Sequence, residues 1–412
     1  MTNASERAGP FRALRVRGYR LLFIGQVLSV IGTWTQNIAI AWIVLRDTHS
    51  ASSLGVVVAL QFVPLLVLGA WAGTIADHTD KRRLLIAANI GAALVALATA
   101  LLVTNGQHSV EVLGGMSLLM GLTSAFEVPA RQSFTADLVG LHDLPSAIGL
   151  NGATMTGSRM VGSAIGGLLI AALGASACLY VNAGSFLAVI IALAMIRSSE
   201  IRGVPVTPRQ RGQLVEGLRY ARHNPEVRFP LATMAVIGTL ALNSVVLTPL
   251  LARITFDAGP ELFAAFSAVS GLGAMLGALY AARRTHATVA AIGRAAVAGG
   301  VLLFALAAAP WAGLAVALLG ASSFALALYI SSTNARLQQV TDGAFRGRIM
   351  ALYSVLFLGS TPIGSLIVSG ASQASSPRVG VLIGAVATLG AGVVALAREH
   401  ETRTRVTAPV PG

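Results

Sequence analysis

Three groups of charged residues stand in or beside apolar sequence, where charge is costly and needs a reason. The first is Asp77 with Lys81, Arg82 and Arg83, in a segment from Gly73 to Arg83 that packs six ionisable residues between the apolar runs Leu54–Ala72 and Leu84–Val103. The second is Arg159, inside an apolar run; the third is Glu127 with Arg131, at the end of another. A charge in hydrocarbon costs about 3 kcal/mol or more, so such groups pair, bind a charged solute or relay protons. That chemistry is electrostatic rather than covalent.

Covalent chemistry finds little support. There are no paired carboxylates within a span, no nucleophile beside a base and no clustered metal ligands. His78, His108, His142, His223, His286 and His400 fall in polar connections or the tail and His49 follows the first apolar run, so no metal site is expected. The G-x-x-x-x-G-K-[ST] phosphate loop is missing, so energy from ATP within this chain is not expected, and no cofactor is. The single cysteine, Cys178, allows no internal disulfide. These features describe a non-enzyme.

The elements that must position the charges are membrane helices. Hydrophobic residues make up 55% of the chain and charged residues 11%, far below the roughly one quarter of a soluble domain; the mean hydropathy is +0.75. Runs near the roughly 20 residues that cross a bilayer recur twelve times: Leu21–Leu45, Leu54–Gly73, Leu84–Thr104, Val110–Phe126, Ala147–Leu173, Ala177–Ile196, Leu231–Ala252, Leu262–Ala282, Ala295–Ala308, Trp311–Ser331, Ile349–Gly370 and Val379–Leu396. Leu65–Ala76 and Val297–Ala309 are apolar all round, which argues against amphipathic helices of a soluble protein. The expected fold is an all-α membrane protein of twelve transmembrane helices. The first run exceeds a signal-peptide core, so it is expected to stay as a helix.

The net charge of +13 invites a nucleic-acid reading, but the arginines are distributed by topology. Arg7, Arg12, Arg15, Arg17 and Arg20 precede the first span; Lys81, Arg82 and Arg83 follow the second; Arg131 follows the fourth; and a run from Arg197 to Arg228 follows the sixth. Alternate loops on the other side offer Arg46, Arg253 and Arg378. This positive-inside pattern places both termini in the cytoplasm of a multi-pass protein of the cytoplasmic (inner) membrane. The lipid bilayer is the partner of that charge, and no nucleic acid is expected.

The polar stretch after Ile196 divides the spans six and six. The expected organisation is a first half over 1–196, a cytoplasmic linker over 197–230, a second half over 231–398 and a tail over 399–412. Gly212–His223 in the linker has the pattern of an interfacial amphipathic helix or a solvated one. Ile165-Gly-Gly-Leu-Leu-Ile170 echoes Ile363-Gly-Ser-Leu-Ile-Val368, as expected of two pseudo-symmetric halves. Such repeats place a substrate cavity near the bilayer midplane.

Arg159 has three readings: it binds an anionic substrate, it is held by Glu127 or by Asn, Gln and carbonyl groups, or it joins helices structurally. Gln26, Thr33, Trp34, Gln36, Asn37, Gln61, Asn151, Asn243, Tyr353 and Phe357 are the candidate cavity residues, with Phe62, Thr154 and Asn182 as further candidates. Apolar walls with few fixed charges suit a small amphiphilic, drug-like or siderophore-like molecule; interhelical hydrogen bonds would use the same polar residues.

The segment Gly73-Thr-Ile-Ala-Asp77-His-Thr-Asp80-Lys81-Arg82-Arg83 resembles the loop motif G-x-L-A-D-R-x-G-R-R of the major facilitator superfamily, with Ile75, His78 and Asp80 as departures. Gly32-Thr-Trp34-Thr-Gln36-Asn37, Pro129-Ala-Arg131-Gln132 and Arg346-Gly-Arg348 before Leu352-Tyr353 are similar to the branch with enterobactin exporters and macrolide-efflux permeases. The resemblance implies that Gly73, Asp77, Lys81, Arg82, Arg83 and Arg131 form a gate, Asp77 meeting Arg131 or the start of the eleventh helix near Gly347. Gly157, Gly162, Gly166 and Gly167 resemble the antiporter motif of the fifth helix, with Ser163 at the proline position; generic packing glycines would look the same.

The resemblance implies a secondary exporter working by alternating access in exchange for protons. The arginine that often serves proton coupling in the fourth helix is missing from Ser117-Leu-Leu-Met120-Gly121, which leaves Glu127 as the coupling candidate. An importer or lysophospholipid flippase on the same scaffold, and a non-transporting membrane sensor or partner, are the alternatives. Substrate identity and oligomeric state are not written in the residues.

Overall fold

The computed structural model describes residues 11–203, 213–283 and 288–407. Residues 204–212 of the expected linker and 408–412 of the tail lie outside the described residues. Among the described residues there are thirteen long helices besides two short 3-10 turns, Arg12–Arg15 and Ser198–Glu200, and twelve of the thirteen are long and apolar enough to cross a membrane. The protein is multi-pass.

The first six spans are α1 (Arg17–Thr48), α2 (Ala51–His78), α3 (Lys81–Thr104), α4 (Val110–Gly140), α5 (His142–Leu173) and α6 (Ala175–Met195). α4 and α5 run together except at Gly140, whose φ of 72° turns the chain in the left-handed region that glycine tolerates. The helix α7 (Gln213–His223) covers much of the segment read as amphipathic. Then come α8 (Pro225–Thr255), α9 (Pro260–Ala282), α10 (Val289–Ala307), α11 (Ala312–Val340), α12 (Gly343–Leu358 continued by Thr361–Ala374) and α13 (Pro377–Thr407). α8 is interrupted after Leu240 and resumes at Ser244, and its last turn, Leu251–Thr255, is π-helical.

The helices form two compact units. The first is Met1–Ile43 with Leu60–Arg209, and the second is Val44–Ala59 with Gln210–Gly412. The turn joining α1 to α2 therefore belongs with the later helices, whereas a division at residue 196 assigns it to the first half.

Within the first unit α3 packs on α4 and α6. Its core gathers Tyr19, Leu22, Leu85, Phe134, Leu138 and Leu193, and the Tyr19 hydroxyl donates to the Ala147 carbonyl at 3.1 Å. In the second unit α9 packs on α11, and α10 on α11 and α13; the buried Tyr329 hydroxyl donates to Thr233 Oγ1 at 3.0 Å. Leu168 and Val67 keep 70% and 67% of their surface exposed, which water would penalise and lipid tails accept.

Small residues set the closest approaches. A Cβ on Gly162 would stand 2.5 Å from the Ile31 carbonyl oxygen, and one on Gly166 3.3 Å from Thr35 Cα, so α5 lies directly against α1. In the second unit Gly364 of α12 lies against Thr239 and Asn243 of α8. The fifth span meets the first as the eleventh meets the seventh.

Candidate functional site

The segment following α2 is built as a helix start. Gly73 is buried. Asp77 lies in the last turn of α2, and its side chain, with its expected partnership with Arg131 or the Gly347 region, lies outside the described residues. Asp80 is the N-cap of α3: its carboxylate accepts the Arg83 N–H at 3.1 Å and meets the Arg83 guanidinium at 3.4 Å.

The three basic residues each take a different partner. Lys81 Nζ lies 2.6 Å from Asp137 Oδ2, with side-chain exposures of 12% and 6%. Arg82 donates from Nε to the Leu193 carbonyl at 2.8 Å and from Nη2 to the Ala194 carbonyl at 2.9 Å, satisfying the end of α6. Arg83 stays exposed beside its own cap. Sequence reasoning missed Asp137, although it stands six residues beyond Arg131 in a polar extension of α4.

Glu127 and Arg131 meet one helical turn apart, Arg131 Nε donating to Glu127 Oε1 at 2.8 Å. Gln26 of α1 donates to the same oxygen at 3.2 Å. The carboxylate is thus bound to a guanidinium and an amide while 20% of its side chain remains exposed.

Arg159 lies on the face of Trp34, its guanidinium carbon 5.1 Å from the ring centroid. That joins two residues the sequence proposed separately. The neighbouring candidates are largely committed to helix contacts. Asn182 donates to Gln36 Oε1 at 2.8 Å, and both are buried. Gln61 donates to Asn37 Oδ1 at 3.3 Å, and the Thr33 hydroxyl returns to the Ser29 carbonyl. Asn151 is half-buried, and the buried Thr154 Oγ1 makes no hydrogen bond among the described residues. Of the fifth-helix glycines, Gly162 and Gly166 contact α1, Gly167 is buried, and the Cβ position of Gly157 faces open space.

The second unit holds the remaining candidates. Asn243 sits at the interruption of α8, donating to the Thr239 carbonyl at 2.6 Å while its buried Oδ1 has no partner among the described residues. Tyr353 and Phe357 stack with centroids 6.2 Å apart, and the Tyr353 hydroxyl donates to the Ile330 carbonyl. A further cluster escaped the sequence reading: Tyr220 of α7 stacks on Phe345 at 4.4 Å and donates to Asp342 Oδ2 at 2.9 Å, while Arg348 covers Phe345 and meets Glu216 at 3.2 Å. It ties α7 to the start of α12.

Outside the spans, Glu200 accepts from the Arg197 N–H at 2.9 Å and from Arg17 at 3.0 Å. The backbone hydrogen bond first, and then the guanidinium, hold its carboxyl below the usual carboxylate range. No group of three or more His, Cys, Asp and Glu residues suited to a metal occurs among the described residues.

Comparison with known proteins fits this architecture. The profile of the family described as transmembrane secretion effector matches residues 8–407. The chain is 27% identical over 262 residues to the staphyloferrin A transporter of Staphylococcus aureus, covering 63% of this chain and 66% of that one, so it spans just under two thirds of that relative's length. It is 28% identical over 402 residues to the multidrug efflux pump Tap of Mycolicibacterium fortuitum, covering 92% and 95%. It is 27% identical over 420 residues to the enterobactin exporter EntS of Shigella boydii, covering 95% of each. Among solved structures, a bacterial homologue of the lysosomal transporter Spinster in an inward-facing, unoccupied conformation superposes with a TM-score of 0.74 at 16% identity, covering 94% and 96%, a likeness of fold alone. Because the family profile runs from residue 8 to residue 407, taking in both units, the chain belongs to the transmembrane secretion effector family of the major facilitator superfamily.

Proposed function

We propose that this chain is a secondary exporter that moves a small amphiphilic, drug-like or siderophore-like molecule out of the cytoplasm by alternating access, in exchange for protons. The observation that carries the reading is the match along nearly the whole chain to an efflux pump and an exporter. The arginine distribution supports an inner-membrane protein with both termini in the cytoplasm.

In this reading Glu127 is the coupling carboxylate. Protonation removes the charge that holds Arg131, and ionisation restores it, so the pair has two states for a gradient to bias. Arg159 on Trp34 offers a cation beside an aromatic face, which suits an amphiphile carrying an acidic group. Asp77 with Lys81, Arg82 and Arg83 serves as the gate, and the Lys81–Asp137 pair anchors that segment to α4.

Energised inverted membrane vesicles test the reading. They are expected to accumulate a siderophore or a cationic dye only when the chain is present, and substrate addition is expected to release protons from the lumen. Accumulation solely in right-side-out vesicles would make the chain an importer. Transport without lumenal alkalinisation would remove proton coupling and leave export standing.

A further inference from the structure

The spans carry three arginines at the ends remote from the arginine-rich loops, and two of them are paired. Arg46 meets Asp47 at 2.6 Å and Arg253 meets Asp257 at 3.3 Å. Arg378 has no acidic partner within 4 Å among the described residues; one N–H of its Nη2 goes to the Ala309 carbonyl at 2.8 Å, which leaves the second Nη2 N–H beside those of Nη1 and Nε for a parallel pair.

Arg378 lines a cleft of about 340 Å³ between the α1–α2 turn and the α12–α13 turn, lying wholly within the second unit. The other polar walls are His49, Thr255, Ser372, Gln373, Ser375 and Ser376. Among the described residues no carboxylate lines it. Gln373 accepts the Ala51 N–H through Oε1 at 2.7 Å, which turns its amide NH2 to other use. Thr255 Oγ1 is buried and makes no hydrogen bond among the described residues. A buried hydroxyl without a partner costs about 1–3 kcal/mol, and a guanidinium is built to bind an oxyanion through two parallel N–H groups.

We infer that this cleft is an oxyanion site: it takes a hydroxylated carboxylate, or the phosphate of a lipid headgroup, with Arg378 on the anionic oxygens and Thr255, Gln373 and the serines on the remaining oxygens. The site shares no residue with the Glu127 and Arg159 groups, and nothing in it depends on the direction of transport. An occupant would touch the α1–α2 turn through His49 and the start of α13 through Arg378, joining two turns that the Ala51–Gln373 hydrogen bond already brings together.

The full chain in neutral detergent, titrated calorimetrically with tartrate in chloride-free buffer, tests this. Saturable binding in the millimolar range is expected, weakened about tenfold in Arg378→Gln and left unchanged in Arg46→Gln. Thr255→Val, which keeps the shape and removes the hydroxyl, is expected to weaken it severalfold and stands in if Arg378→Gln does not fold. Repeating the titration in nanodiscs separates the sources. Loss of tartrate binding only with phosphatidylglycerol identifies a lipid phosphate as the oxyanion, and unchanged binding identifies a soluble carboxylate. No saturable binding in wild type, or equal affinity in Arg378→Gln and Thr255→Val, overturns the site.

Discussion

Lys81 Nζ and Asp137 Oδ2 lie 2.6 Å apart, joining the first turn of α3 to the polar extension of α4 with both side chains nearly out of solvent. Removing one partner of such a pair costs about 3–5 kcal/mol when burial is complete. Lys81→Met and Asp137→Asn are each expected to lower the thermal midpoint in detergent. The double variant should recover part of the loss, with a coupling of about 1–3 kcal/mol in the cycle. Additive single effects would show that the pair contributes nothing of its own.

Gly162 and Gly157 divide the fifth-helix motif into a contact and a bystander. A Cβ at Gly162 meets the Ile31 carbonyl oxygen at 2.5 Å and Trp34 Cβ at 2.9 Å, so Gly162→Ala must push α5 from α1, at about 1–3 kcal/mol. Gly157→Ala meets nothing within 4 Å and is expected to stay within about 0.5 kcal/mol of wild type. Fluorescence-detected size exclusion after heating ranks the two; similar midpoints would refute the α1–α5 contact.

Arg159 and Trp34 are expected to be coupled by about 1 kcal/mol, the usual scale of a cation over an aromatic face. Arg159→Lys keeps the charge and loses the planar fork, so it should retain part of the uptake of acidic amphiphiles into inverted vesicles. Arg159→Leu should lose that uptake while sparing neutral substrates. Equal losses for acidic and neutral substrates would mark Arg159 as scaffolding.

Glu200 supplies a pH dependence outside the spans. Its carboxyl titrates lower in the folded chain than the value of about 4.3 expected when unfolded. The stabilisation is therefore fully present above that unfolded value and is lost as pH falls through the folded one. The stability gap between wild type and Glu200→Gln should be present at neutral pH and close as pH falls through the folded value. A gap that persists below that value would remove ionisation as its cause.

The twelve spans were legible because crossing a bilayer imposes a length and a hydropathy that nothing else in the chain imitates. Where helices outran the apolar run, the reading stopped short. The fourth run closes at Phe126, yet α4 continues to Gly140 because Glu127, Arg131 and Asp137 find partners that keep a polar stretch helical. α10 likewise begins at Val289 rather than Ala295, with the Thr288 hydroxyl accepting the Ala291 N–H at its cap.

Residue types in the candidate site were legible, but partners were not. Gln36 and Asn182 look like cavity residues in sequence, and only their rotation about α1 and α6 brings them to a 2.8 Å hydrogen bond. Asp137 was overlooked because its value lies in Lys81, 56 residues away. The cluster of Tyr220, Phe345 and Arg348 spans more than 120 residues and leaves no local pattern.

Asp80 stands where the superfamily motif has glycine, and a letter-by-letter comparison scores it as an error. The structure gives the position a job, the N-cap of α3, and glycine and aspartate are both among the few residues that begin helices well. The motif is better written there as a helix start than as a glycine, and chains carrying Ser, Asn or Asp at this place satisfy the same grammar with different spelling.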